Sequence, residues 1–136
     1  MISFIGLNAS GKTTILKVIS FVINLLNNEA LNSIKSKEIL NELSEKEKVI
    51  IISYFYNENS IYKLETTIAK KVNHVDNEEK LVIVEERLWE KDASKVKTKK
   101  GLFDFRDTDI RIERNEKEQF LLDDVSVMIA INKEKQ

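Results

Sequence analysis

The sequence predicts an α/β fold in which a strand, a glycine-containing loop and a buried helix precede an antiparallel β-sheet. The first observation is the order at the start of the chain, where an apolar run at residues 2–5 is followed by two of the three glycines and then by a largely apolar stretch. The second is that three later segments are rich in β-branched and aromatic residues and are separated by polar turns. The third is the length of 136 residues without a proline, which fits one domain with no linker marked by composition.

Composition excludes several classes of protein and of site. The formal net charge is −1, so the overall charge gives no reason to expect nucleic-acid or membrane binding. The absence of cysteine excludes disulfides and thiolate metal sites, and the single histidine, His74, excludes a histidine metal cluster within this chain. No apolar run has membrane-spanning length and the N-terminus lacks the features of a signal peptide, so we expect a cytoplasmic protein.

Apolar periodicity places the first helix directly after the loop. Residues 2–5 predict a short buried strand, and residues 13–27 predict a helix that is apolar around most of its circumference and therefore largely buried. Residues 29–48 are charged with weak helical spacing and predict one or two surface helices. The expected organisation of the single domain is a strand and helix unit at 1–30, a charged helical insert at 31–48, and a sheet with a terminal helix at 49–136.

The middle of the chain predicts antiparallel strands. Residues 49–56 are β-branched and aromatic, residues 57–60 have turn chemistry, and residues 61–72 alternate in polarity, which together predict a β-hairpin. Residues 81–89 predict a third strand. The remaining expected elements are short strands at 102–105 and 109–113 and a last helix at 125–132, capped by Asp123 or Asp124.

The loop has the spacing of a phosphate-binding motif. Residues 6–13 read Gly-Leu-Asn-Ala-Ser-Gly-Lys-Thr, which matches G-x-x-x-x-G-K-[ST]. Gly6 and Gly11 allow the tight turn and the close approach of backbone N–H groups that a triphosphate requires. The helix after the loop directs its free N–H groups at the phosphates. We expect Lys12 to reach the β- and γ-phosphates and the Thr13 hydroxyl to bind Mg²⁺.

Residues inside the loop resemble those of one family. Asn8 and Ser10 make GLNASGKTT similar to the G-x-N-x-S-G-K-[ST] loop of ABC-type ATPase heads. Ala9 makes the loop most similar to that of the AAA-family ATP-binding proteins related to the SMC, RecF and OLD proteins. The order of buried helix, charged insert and aromatic strands, and the segment LVIVEERLW at 81–89, also resemble this family. The resemblance covers an N-terminal lobe.

The resemblance implies a P-loop NTPase fold of the ABC-head type, with ATP and Mg²⁺ as cofactors. The nucleotide contacts that it implies are Gly6, Asn8, Ala9, Ser10, Gly11, Lys12, Thr13 and Thr14. It implies Mg²⁺ contacts from Thr13 and from Gln119, which stands where the family joins its core to a helical subdomain. It also implies a homodimer or head-to-head partner around ATP in the complete protein, and nucleic acid or an effector nuclease as a partner, with no membrane contact.

The family's second half is not found in this sequence. That half supplies a Leu-Ser-Gly-Gly-like signature motif, an apolar strand ending in Asp-Glu and a switch histidine. The segment FLLDD at 120–124 is the nearest match to the acidic strand, and it is more typical of a helix cap. We therefore expect an incomplete lobe of an ATP hydrolase, with unknown catalytic residues, that binds ATP weakly by itself.

Two other functions stay open on the sequence. A small P-loop phosphotransferase acting on a nucleotide or small molecule would need an arginine lid and an acid, for which the candidates are Arg106, Arg111, Arg114 and Asp123. A non-hydrolysing interaction domain would keep the loop for nucleotide sensing.

The weaker features favour structural roles. The five lysines between residues 91 and 100 are more typical of a solvated loop than of a contact with the DNA backbone. His74, in a polar turn, is expected at the surface. Glu85 and Glu86 are neighbours on a predicted strand, so their side chains should point to opposite faces and not act as a catalytic pair.

Overall fold

The computed structural model describes residues 3–9, 15–35, 40, 43–115 and 125–134. The strands are β1 (Ser3–Ala9), β2 (Lys48–Asn57), β3 (Ser60–Asn73), β4 (Glu78–Asp92) and β5 (Ile110–Arg114). The α-helices are α1 (Ile15–Leu26) and α2 (Met128–Glu134). Short 3-10 helices lie at Leu31–Ser33, Ala93–Lys95 and Lys100–Phe103.

The strands form one antiparallel sheet in the order β1-β2-β3-β4-β5, so every strand pairs with its neighbours in the sequence. A two-residue turn joins β2 to β3, where Asn57 pairs with Ser60. The two turn residues, Glu58 and Asn59, have φ values of 48° and 67°. Positive φ at both positions defines a type I′ turn, whose twist matches that of the flanking strands. This turn sets the register of the hairpin.

One face of the sheet, called the first face here, carries the main core. The buried residues of β2 have odd numbers and most of those of β3 have even numbers, as expected from the alternation of side chains along a strand. Helices α1 and α2 and the turn at Leu31–Ser33 pack on this face. Its buried apolar side chains include Phe21, Val22, Leu25, Leu26, Leu31, Ile34, Leu40, Ile51, Phe55, Tyr62, Leu64, Ile68, Leu81, Ile83, Leu88, Val127, Met128 and Ile131.

A β-bulge changes which residues of β4 reach the first face. Thr67 pairs with Glu85 and Ile68 pairs with Ile83, so Val84 is left between them as the extra residue. Ile83 lies in the main core before the bulge, and the fully buried Glu86 lies on the same face after it. A regular strand would have placed these two side chains on opposite faces. The bulge therefore brings a carboxylate into the core.

The second face of the sheet is partly covered by residues 93–105. Tyr54 of β2 contacts Phe103, with ring centroids 4.9 Å apart, and Phe105 nearby is buried. The centre of this face is charged instead of apolar. Its ion pairs join Arg87 to Glu65, Glu85 and Glu113. The two faces therefore differ in chemistry, since one packs against helices and the other presents an aromatic end and a charged centre.

The α/β class and the antiparallel sheet are confirmed, as is the hairpin of β2 and β3. The surface helices expected within residues 29–48 are not found among the described residues there, where a 3-10 turn occurs and Leu31, Ile34 and Leu40 are buried. In the described part of this segment, the apolar spacing of three residues is explained by a 3-10 turn with one side on the core, and the helical insert stays a prediction. Residues 36–39 and 41–42 lie outside the described part.

One further element differs in type from the prediction, and one helix begins at a different residue. Residues 102–105 were expected as a strand, but Lys100–Phe103 form a 3-10 helix. The Lys91 ammonium donates to the carbonyl oxygens of Gly101 and Asp104, which holds this segment folded across the sheet. Helix α2 begins at Met128, three residues later than expected, and the predicted caps Asp123 and Asp124 lie outside the described residues.

Candidate functional site

The predicted phosphate-binding loop begins inside strand β1. Gly6, Asn8 and Ala9 are residues of this strand, and α1 starts at Ile15. The motif therefore connects a strand to a helix, in the predicted order. The other predicted contact residues, Ser10, Gly11, Lys12, Thr13 and Thr14, lie outside the described residues.

Strand β1 pairs with β2 along the first part of the motif. Gly6 pairs with Tyr54 and Ala9 pairs with Ile51, in antiparallel register. An extended strand directs successive N–H groups towards opposite edges, so this backbone does not form the concave cluster of N–H groups that holds a phosphate. The described part of the motif thus does not fit a phosphate as it stands. A phosphate loop at residues 6–14 requires the end of β1 to separate from β2.

Helix α1 is anchored behind the loop. Its residues Phe21, Val22, Leu25 and Leu26 are buried in the core on the first face of the sheet. No acidic residue lies in its first turn. The partial positive charge at the helix N-terminus is therefore not neutralised from within the helix. An anion held by the preceding loop would be stabilised by this charge.

The predicted metal contacts cannot be placed from the described residues. Thr13 and Gln119 both lie outside them, as does the segment at 120–124. Among the described residues, no group of three or more His, Asp or Glu side chains is arranged to hold a metal ion. Binding of Mg²⁺ by Thr13 and Gln119 stays a prediction.

A buried polar cluster that the sequence did not reveal lies between the sheet and α2. The Glu86 carboxylate is fully buried and accepts hydrogen bonds from the hydroxyls of Thr66 and Ser126, both at 2.8 Å. It also accepts from the backbone N–H of Val127 at 2.8 Å. Arg114, opposite Glu86 on β5, is equally buried and lies 3.1 Å away. We call these five residues the Glu86 cluster.

The Glu86 cluster has the properties of a structural site. Burial, the largest effect, raises the pKa of Glu86, while Arg114 and the three hydrogen-bond donors act in the opposite direction. The Arg114 guanidinium also donates to the carbonyl oxygen of Val125, at 2.5 Å. The cluster therefore ties the segment before α2 to strands β3, β4 and β5. Because neither charged side chain is exposed, a soluble substrate has no access to them.

The prediction for Glu85 and Glu86 is confirmed. Glu86 is inside the core, whereas Glu85 is on the second face and pairs with Arg87. No feature of the sequence signals which of the two acids is buried. The outcome depends on the position of the bulge at Val84.

The three arginines of the phosphotransferase alternative are each engaged by a different acid. Arg106 pairs with Asp104 at 2.8 Å, and Arg111 pairs with Glu90 at 3.3 Å. Arg114 is buried in the Glu86 cluster. The fourth candidate, Asp123, lies outside the described residues. The described geometry gives these arginines separate structural roles.

The other residues singled out from the sequence lie at the surface. His74 is 77% exposed and contacts Glu45 at 3.1 Å. The lysine-rich segment does not form a plain hairpin loop, because Ala93–Lys95 and Lys100–Phe103 are 3-10 helices. Within the described part of the chain, no helix is long and apolar enough to cross a membrane.

Comparison with protein-family models, with curated proteins and with solved structures finds no match to this chain.

Proposed function

We propose that this chain binds ATP through residues 6–14 and is a nucleotide-binding lobe of an ABC-type ATPase related to the SMC, RecF and OLD proteins. The observation that carries the proposal is the complete G-x-x-x-x-G-K-[ST] spacing, which starts within β1 and ends just before α1. Lys12 would supply positive charge to the β- and γ-phosphates, and Thr13 would supply a hydroxyl to Mg²⁺.

ATP can bind in this way only if the end of β1 separates from β2. The register of the two strands shifts between Phe4 and Gly6, so regular pairing is already interrupted at the first residue of the motif. Residues 6–9 form the end of an edge strand of the sheet. Their release from β2 would free the backbone N–H groups that the loop needs, while residues 3–4 keep their pairing. We therefore expect ATP binding to be coupled to a local opening of the sheet.

The ion pairs of the arginines weigh against the phosphotransferase alternative. An arginine lid has to be free to approach the transferred phosphoryl group. Arg114 is buried, and Arg106 and Arg111 are held by Asp104 and Glu90. The nucleotide-binding lobe does not require these three residues. The ion pairs therefore favour the nucleotide-binding lobe over the phosphotransferase.

In this proposal hydrolysis belongs to the complete protein. A homodimer or head-to-head pair formed around ATP would supply the signature motif and the catalytic acid, and the cycle would act on nucleic acid or an effector nuclease. The third function, nucleotide sensing without hydrolysis, shares the same binding step and differs only in having no hydrolysis after it.

The test is a titration of a fluorescent ATP analogue in the presence of Mg²⁺. The Lys12→Ala variant should bind more weakly by on the order of 2–4 kcal/mol, or about 30- to 900-fold, because a charge-assisted contact with the phosphates is lost. The matched control is Lys46→Ala, which removes an exposed lysine outside the motif and should bind as the parent does. Equal affinities of the parent and Lys12→Ala, or binding independent of Mg²⁺, would contradict the proposal.

A further inference from the structure

The segment after β4 folds back over the second face of the sheet and is held there at both ends. The backbone N–H of Ala93 donates to the carbonyl oxygen of Asn59 at 2.9 Å, which fixes the start of the segment to the hairpin turn. The Lys91 ammonium donates to two carbonyl oxygens near its end, including that of Asp104 at 2.6 Å, and lies over the Phe105 ring at 4.4 Å from its centroid. The segment at 93–105 is therefore built into the fold.

Four lysines of this ordered segment project into solvent. They are Lys95, Lys97, Lys99 and Lys100, and none of them has an acidic side chain within ion-pair distance among the described residues. The neighbouring cations differ from them. Arg87 and Lys63 on the same face are paired with glutamates, and Arg106 is paired with Asp104. The lysine segment is thus a local concentration of positive charge on a chain with a net charge of −1.

Two of these lysines, Lys97 and Lys99, line an open groove. It has a volume of about 450 Å³ and is bounded by aliphatic and aromatic side chains of the hairpin and of the segment. The apolar lining includes Tyr56, Ile61, Val96 and Leu102, and Lys97 and Lys99 stand at its rim. Tyr56 is 36% exposed, so part of its ring is open to a ligand. The groove therefore combines an apolar floor with a cationic rim.

We propose that this groove binds an acidic peptide segment that carries an apolar side chain. The apolar side chain would lie against Tyr56, Val96 and Leu102, and the flanking carboxylates would meet Lys97 and Lys99. Charge complementarity favours such a partner, since these two lysines have no acidic side chain within ion-pair distance among the described residues. The surface is also preorganised, because the contacts of Ala93 and Lys91 already fix the segment in place.

The lining of the groove favours a peptide over a nucleic acid. Single-stranded nucleic acid is bound by aromatic platforms on which successive bases stack. Among the described lining residues a single aromatic ring occurs, that of Tyr56, and its hydroxyl donates to Asn59 at 3.0 Å. The remaining apolar lining is aliphatic, which suits an aliphatic side chain. The described lining also lacks arginine, asparagine and glutamine, the side chains that make bidentate contacts with bases.

The described lining of the groove includes no residue of the predicted phosphate-binding motif. Tyr56 pairs with Ser3 at one end of β1, whereas Ala9 pairs with Ile51 at the other end. Tyr56 and Ile51 are five residue steps apart, about 17 Å at the rise of a β-strand, whereas Gly6 at the start of the motif pairs with Tyr54, two positions from Tyr56. Peptide binding and nucleotide binding are therefore separate properties, and either can fail without the other.

The experiment measures the fluorescence anisotropy of a labelled short peptide of glutamates around one central leucine, titrated with the chain. Lys97→Glu/Lys99→Glu should weaken binding about tenfold or more, because two attractive contacts become repulsive. Leu102→Ser should weaken it severalfold by removing apolar lining. The matched controls are Lys46→Glu/Lys71→Glu, which changes the charge by the same amount elsewhere, and Val75→Ser, at an apolar residue that is 95% exposed. Circular dichroism checks that each variant is folded.

The expected result is loss of binding in the groove variants, retention in both controls, and weaker binding of a peptide in which serine replaces the leucine. A single-stranded oligothymidylate that binds as tightly as the peptide would overturn the proposal in favour of a phosphate-backbone surface. Equal losses in the groove and control variants would also overturn it, because they would show a general effect of net charge.

Discussion

Glu86 on β4 and Arg114 on β5 face each other as a cross-strand pair in which both side chains are fully buried, with Nη2 and Oε1 3.1 Å apart. Each charge is further satisfied by the segment that leads into α2. Taking two charges out of water is costly, and the mutual attraction offsets that cost only when hydrogen bonds complete the geometry. The pair therefore makes the docking of α2 and the order of the sheet depend on one another.

Removing one member of this pair should be strongly destabilising. Arg114→Met leaves the Glu86 carboxylate buried without its cation and should lower the free energy of unfolding by about 3–5 kcal/mol. Replacing both residues, as in Glu86→Leu/Arg114→Met, should cost less than the single change. Urea denaturation followed by circular dichroism measures these values.

The control for this prediction is Arg87→Met. Arg87 pairs with three glutamates on the second face but is 41% exposed, so its loss should cost less than about 1 kcal/mol. If Arg114→Met were no more destabilising than Arg87→Met, the Glu86 cluster would not hold α2 in the way described.

Asp104 gives a pH dependence with a defined direction. The hydrogen bond from the Arg106 side chain, with further help from the Arg106 backbone N–H, lowers the pKa of Asp104 from 3.8 to about 2. Because the folded pKa is below the unfolded one, the stabilisation is present above pH 3.8 and is lost as the pH falls towards 2. The urea midpoint of Asp104→Asn should therefore approach that of the parent across this window. Asp109→Asn, at an exposed acid nearby, is the control, and an unchanged gap between Asp104→Asn and the parent would refute the assignment.

Catalysis by this chain alone should be very slow. Phosphoryl transfer needs an oriented water and neutralisation of charge on the γ-phosphate. Lys12 and Thr13 address the second need, and the motif contains no residue that would orient the water. Phosphate release should stay far below the usual enzyme range of roughly 1 per second. Turnover in that range, abolished by Lys12→Ala and kept in Lys46→Ala, would show a complete enzyme and favour the phosphotransferase.

Much of the sheet could be predicted from the sequence. The alternation in β3 placed Tyr62, Leu64 and Thr66 on one side, and all three are buried there. The turn residues Glu58 and Asn59 marked the hairpin correctly. These features depend on local chemistry, because strand periodicity and turn preference are properties of short segments.

The features that the sequence did not reveal depend on contacts between distant residues. A bulge shifts the side chains of β4 by one position, and no residue type marks Val84 as the extra one. The partnership of Glu86 with Arg114 results from that shift. The antiparallel pairing of β1 with β2 could not be predicted for the same reason. A short apolar run is equally compatible with a central strand and with an edge strand beside β2.

The structure around the lysine-rich segment also depends on contacts between distant residues. Its charge was evident, and a solvated loop was the natural prediction. The groove could not be predicted, because its lining combines Ile61 and Tyr56 of the hairpin with Val96 and Leu102 of the lysine-rich segment. Periodicity within one segment carries no information about such a contact.

Hydrogen–deuterium exchange with and without ATP and Mg²⁺ is the most direct test of nucleotide binding by residues 6–14, because it locates the binding as well as detecting it. We expect slower exchange in peptides that cover residues 10–14. We also expect faster exchange of the β2 amides that face β1, at Tyr54 opposite Gly6 and at Ile52 opposite Asn8, as the end of β1 leaves the sheet. Lys12→Ala should abolish both changes. Unchanged exchange across residues 1–14 and β2 at ATP concentrations that saturate the parent in the titration would contradict nucleotide binding through this loop.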